Sequence, residues 1–129
     1  MGHVMDYQSL VDYLMSKRGV TKDMPFDFET LCFRVRQKIF ALMAWQDDPI
    51  VISLKCDPAE AIILRQTYPG ITPGYHMNKK HWNTVVIDDR IPDFEIRRMI
   101  DISYDLVVKS LSKEEKQGLN QSALDDQLA

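Results

Sequence analysis

The chain has 129 residues, 45% hydrophobic and 27% charged, with a formal net charge of -3 at pH 7. That length and composition describe one soluble domain, residues 1–129, large enough for a single core. They exclude a disordered chain, a membrane-spanning one (no apolar run approaches the ~18 residues a span needs) and a protein that coats polyanions through bulk positive charge.

At the start, Met1-Gly2-His3-Val4 reads as an expression scar ahead of Met5, so His3 is set aside, and no secretion signal is expected. Asp6 is placed to cap a first helix carrying Tyr7, Leu10, Val11 and Leu14 at helical spacing, with Gly19 stopping it. Met24 to Glu29 is an entry segment rich in Pro and Asp. "TLCFRVRQKIFALMAW" then alternates, with Leu31, Phe33 and Val35 on one face and Cys32, Arg34 and Arg36 on the other. This predicts a β-hairpin turning near Arg36-Gln37. Neither residue suits a type I′ turn, so a longer or bulged connection is expected.

Asp47-Asp48-Pro49 marks a second turn and "IVISLKC" a third strand. "DPAE" opens a helix running to about Thr67: Asp57 caps, Pro58 takes the first position, and Glu60 can reach back in a capping box. Pro69-Gly70 ends it, Pro73-Gly74 forms a turn, and Trp82 to Ile87 makes a short strand. Pro92 starts the last helix, whose buried face is Ile96, Met99, Ile100, Ser103, Leu106, Val107 and Leu111. Beyond Ser112, residues 113–129 read as a polar tail that frays, with room for a further turn of helix. The order is α-β-β-β-α-β-(β)-α, an α+β fold in which helices cover an antiparallel sheet.

Two cysteines, Cys32 and Cys56, are too few for a zinc cage and too far apart for a CxxC pair. Both lie in apolar surroundings, where a reduced cysteine acts as a small hydrophobe, and a cytoplasmic setting is the expectation.

Charge is unevenly placed. Thr30 to Gln46 holds three bases (Arg34, Arg36, Lys38) and no acid, and Ala61 to Ile87 holds three more (Arg65, Lys79, Lys80) and no acid. From Asp88 onward, ten acids face six bases. An acidic chain can therefore still present a basic face.

The stretch "PGYHMNKKHWNTV", residues 73–85, concentrates two histidines, two lysines, two asparagines and a tryptophan. His76 and His81 are five apart, which puts them on different sides of a helix and on opposite faces of a strand, so they are a poor metal pair. No nucleophile elbow or phosphate-cradling glycine loop is present, and no catalytic residue, cofactor or metal site is assigned. Asn78 suits a turn or cap through its side chain. Trp82 is expected in the core, where truncation to alanine costs about 3–5 kcal/mol.

"PGYHMNKKHWNTVVIDD" with "IPDFEIRRMIDISYDLVVKSL", preceded by "PFDFETLCFRVRQKIFAL", resembles the MmcQ/YjbR family across roughly Asp6 to Leu111. The shared signature is His76, Asn78, Lys79, His81 and Trp82. The resemblance implies the CyaY-like (frataxin-like) α+β fold and a role in DNA binding through paired β-hairpin wings. Many relatives place glycine at the first hairpin turn, where this chain has Arg36-Gln37. On that basis Arg34, Arg36, Lys38, His76, Lys79, Lys80 and His81 are the candidate contacts to double-stranded DNA, weak and salt-sensitive, with Asn78 and Trp82 as structural residues. The alternatives are a protein- or small-ligand-binding module without nucleic acid, and an enzyme using His76, Lys79 and His81. Oligomeric state and target are not specified by the sequence.

Overall fold

Asp6 adopts extended backbone and its Oδ1 accepts from the Ser9 amide at 2.8 Å, satisfying one of the donors a helix start leaves open. In this computed structural model, which describes residues 5–74 and 78–119, the helix so capped is α1 (Tyr7–Met15), burying Leu10, Val11 and Leu14. Gly19 follows at φ 74°, a left-handed conformation that glycine adopts without steric penalty. A Cβ on Gly19 would also collide with Leu119 Cδ1.

The chain then enters β1 (Val20–Asp23), a strand that alternation did not reveal. Thr21, Lys22 and Asp23 are all exposed, so the strand has no buried face to leave a period of two. It exists by pairing with β2 (Thr30–Val35). β3 (Lys38–Ala44) and β4 (Val51–Lys55) continue the meander, with a cis peptide at Asp48-Pro49 in the turn between them. β5 (Ile71–Pro73) and β6 (Trp82–Val86) complete a six-stranded sheet of order β1-β2-β3-β4-β6-β5, every pair antiparallel. Four strands therefore precede the second helix where three were expected.

The first hairpin closes tightly: Val35 pairs with Lys38, leaving only Arg36 and Gln37 in the loop. Of the two, Arg36 alone has positive φ, at 59°, so the turn is not of type I′. The irregularity lies in the strand. Phe33 faces Ala41 whereas Arg34 faces Ile39, so Phe40 is an extra residue on β3. This bulge turns both Phe40 and Ala41 inward, and both are fully buried.

The β3–β4 ladder ends at Ala41 and Leu54, and a helix residue bridges the two strands just beyond it. Ser103 Oγ donates to the Phe40 carbonyl at 2.5 Å and accepts from the Lys55 amide at 2.8 Å. A buried serine hydroxyl thus occupies the place of a missing backbone bond.

α2 (Pro58–Thr67) is capped by Asp57, whose Oδ2 accepts from the Ala59 amide at 3.2 Å. Glu60 does not reach back as a capping box would. It pairs with Arg98 of α3 (Asp93–Lys109) at 2.9 Å. α3 lies over the middle of the sheet, and Tyr13 Oη of α1 donates to its Asp101 at 2.6 Å.

The polar tail from residue 113 opens with helix over 113–119, here α4, two turns rather than the single turn allowed for. Ser112 Oγ accepts from the Glu115 amide at 3.1 Å and Glu115 Oε1 accepts from the Ser112 amide at 3.0 Å, a reciprocal capping box. Leu119 is buried against the core.

Residues paired in register share a face. Leu31, Met43, Ile52, Val85 and Ile71 line the face under the helices, as do Phe33, Ala41, Leu54 and Asn83. The opposite face carries no helix among the described elements: Leu42, Ser53 and Thr84 on it are half-exposed, while Cys32 is buried.

Cys32 and Cys56 are free and buried. Burial raises both thiols, Cys56 to about 11, with Glu60 and Asp57 adding to the shift. A raised thiol pKa means less thiolate, so at pH 8 Cys56 is ionised at roughly the one-in-a-thousand level. The folded protein is expected to show no fast-reacting thiol towards Ellman's reagent at pH 8, and two after denaturation. A rapid equivalent in the native protein would contradict this environment.

Candidate nucleic-acid interface

The antiparallel register brings both basic segments to one end of the sheet. β3 leaves the Arg36-Gln37 turn, β4 ends at Lys55 near it, and β6 begins at Trp82 opposite Lys55. Co-location does not make the segments equivalent.

On the hairpin, Arg34 and Lys38 have internal partners. Arg34 Nε donates to Asp23 at 3.3 Å and Nη1 to the Gln37 carbonyl at 3.3 Å. Lys38 Nζ donates to the Ser110 carbonyl at 2.8 Å and to its hydroxyl at 3.2 Å, placing a positive charge at the C-terminus of α3 where the helix dipole favours it. Arg36 remains exposed, but its guanidinium lies where a Gly118 Cβ would come within 3.0 Å of Nη2. Glu115 is nearby: its carboxyl is held low first by the Ser112 amide, with Lys38 and Arg36 contributing. The hairpin is thus a basic element largely neutralised by β1, α3 and α4.

The second segment is built differently. Asn78 Oδ1 accepts from the Lys80 amide at 3.0 Å, and the Asn78 carbonyl accepts from the His81 amide at 3.1 Å, an Asx turn stacked on a backbone turn. The His81 carbonyl accepts from the Cys56 amide at 2.7 Å, tying the turn to β4. Arg65 of α2 grips it from inside. Its Nη2 donates to the Lys79 carbonyl, and to the Trp82 carbonyl at 3.3 Å, while Nε donates to Asn83 Oδ1 at 2.8 Å. Lys79 and Lys80 are exposed and have no ion-pair partner among the described residues. His81 is half-buried. His76 falls outside the described residues.

Trp82 is not a core residue. Along β6 the inward positions are Asn83 and Val85, so Trp82, Thr84 and Val86 point to the helix-free face, and Trp82 is half-buried there. Alternation fixes two faces but not which of them meets the helices. Asn83, 1% exposed, takes the inward place because Arg65 satisfies its oxygen. Its Nδ2 has no partner among the described residues and lines a cavity of about 10 Å³ with Cys56, Leu64 and Met99. In the sequence Arg65 stands only as one of three bases in an acid-free segment, and Asn83 has no role there. Their separation of 18 positions carries no local signal.

A four-strand meander, a crossover helix, a further hairpin and a covering helix define an antiparallel α+β sandwich with one open sheet face and a basic connection at one end. The YjbR family pattern matches residues 15–106, and the chain belongs to that family. It is 32% identical over 117 residues to the uncharacterized protein YjbR of Escherichia coli K12, covering 91% of this chain and 99% of that one. It is 40% identical over 92 residues to the uncharacterized protein YbdF of E. coli O157:H7, covering 71% and 75%. Among solved structures, the Deinococcus radiodurans protein DR2400, a DUF419 domain, superposes with TM-score 0.85 at 36% identity, covering 91% of this chain and 89% of that one. A Pseudomonas syringae protein superposes with TM-score 0.68 at 32% identity, covering 79% and 98%. No helix among the described residues is long and apolar enough to cross a membrane.

Proposed function

We propose that the protein is a DNA-binding module that contacts chiefly phosphate, through Lys79 and Lys80 on the β5–β6 connection, with Arg36 as an outlying contact. The observation that carries this reading is the pair of exposed lysines, without an ion-pair partner among the described residues, on a connection held by Asn78 and Arg65. The nearest acids along α2 are engaged elsewhere: Asp57 caps the helix and Glu60 pairs with Arg98. Few contacts mean weak, salt-sensitive affinity.

Charge reversal of Lys79 or Lys80 is expected to weaken binding of a labelled DNA. It should also flatten the dependence of log affinity on log salt by about one unit for each phosphate no longer engaged. Arg36→Glu should do less, because α4 and Glu115 already surround that guanidinium, and Asp93→Lys should do least. Fluorescence anisotropy across a salt series reads all four. Absence of binding to duplex and single-stranded DNA alike at ~50 mM salt, where electrostatic association is favoured, would refute the reading.

A protein-binding role is the second reading, supported by the opposite end of the sheet. There, the β1–β2 loop exposes Phe26 at 66% and Phe28 at 85%. Clustered exposed apolar side chains mark interaction sites more often than scattered ones do.

A further inference from the structure

We propose that the occupant of this site is single-stranded DNA, laid across the helix-free face of the sheet with a base stacked on Trp82 and its phosphates held by Lys55, Lys79 and Lys80. This narrows the DNA-binding reading above and rests on it.

Lys55 and Trp82 are register partners on β4 and β6, so their side chains leave the same face. Directly paired side chains in an antiparallel sheet start about 5 Å apart at Cβ. Both are half-buried, and the exposed Lys79 and Lys80 precede Trp82 on the adjoining turn. Gly74 sets the tryptophan in place: its amide donates to the Trp82 carbonyl at 2.8 Å, and a Cβ there would lie 2.8 Å from Trp82 Cβ. Beyond Trp82 the same face continues through Ser53, Thr84 and Thr72, a row of short polar side chains joined in register. Such a row leaves a shallow strip along which a chain of bases can lie.

Charge on this face favours a polyanion. Among the described strand residues on this face the one acid is Asp23, which sits on β1, three strands from Lys55, and is paired with Arg34.

Duplex DNA fits less well. Its bases are stacked inside the helix, so an aromatic on a sheet face has nothing to stack against. Reading a groove requires an element that enters it. The hairpin, the element shaped to do so, has Arg34 and Lys38 bonded within the molecule. A single strand, by contrast, offers base faces and phosphates together, the combination that aromatic-plus-cation sheet surfaces recognise.

The test uses the full chain with fluorescein-labelled dT12 and a labelled 12-base-pair duplex, in anisotropy titrations at ~50 mM salt. The expected result is dT12 bound at least tenfold more tightly than the duplex. Trp82→Ala should lose roughly tenfold or more of the dT12 affinity, Trp82→Phe should retain most of it, and Lys55→Glu should weaken it and flatten its salt dependence. Thermal melts of each variant confirm folding, and Trp82→Phe keeps the test valid if the alanine variant does not fold. Equal or tighter duplex binding, or a Trp82→Ala variant that folds and binds dT12 like the parent, would overturn this inference while leaving the phosphate-contact reading standing. Tighter binding of an RNA oligomer of the same length would overturn DNA as the occupant. Failure of both DNA probes would remove the parent reading as well.

Discussion

Ser103→Ala is expected to destabilise the domain by about 2–4 kcal/mol, far more than the loss of one surface hydroxyl. The serine donates to the Phe40 carbonyl and accepts from the Lys55 amide just beyond the last register pair of β3 and β4, Ala41 and Leu54. Its removal leaves two buried backbone groups unpaired, each costing roughly 1–3 kcal/mol. The thermal midpoint should fall by roughly 10 °C on the scale typical for small domains. Ser103→Cys, close in size but a weaker hydrogen-bonding group, should fall between parent and alanine variant. An alanine variant melting within about a degree of the parent would show that the ladder closes without the hydroxyl.

Arg65→Met should cost about 2–3 kcal/mol, and Arg65→Lys should recover little of it. The guanidinium serves three acceptors at once: the carbonyls of Lys79 and Trp82, and the buried Asn83 Oδ1. Methionine preserves the bulk of the side chain but leaves the Asn83 oxygen buried and unsatisfied. Lysine is a single point of charge and cannot span that fork. Since Arg65 holds the turn bearing Lys79 and Lys80, amide exchange at Lys80 and His81 should accelerate in the methionine variant while α1 stays protected. Uniform acceleration across the chain would instead mark a global effect, and unchanged exchange at the turn would show that Asn78 suffices to hold it.

What the sequence made legible was what depends on near neighbours. Asp6 and Asp57 cap the helices they precede because an N-cap and its amide lie two or three residues apart. The β2–β3 hairpin declared itself through alternation at Leu31, Phe33 and Val35. β1 did not, because its side chains are exposed and its strand character comes from pairing with β2. The inward choice of Asn83 over Trp82 defied simple hydrophobicity, since it depends on a guanidinium arriving from another helix. Lys38 read as a free cation beside a turn, yet its acceptor on Ser110 lies 72 positions away. The α4 helix was present in the sequence as Ser112 followed three residues later by Glu115, a local signal masked by the polar composition around it.

The sheet's two margins bear on how the molecule coexists with its own copies. One margin is β1, four residues long and ending in Lys22 and Asp23. The other is β5, three residues long and ending in Pro73, which has no N–H to offer. A strand from another molecule that approaches either side meets charge or a missing donor before it can form a continuous ladder. The sheet can therefore leave one face uncovered while denying neighbouring copies an edge on which to polymerise.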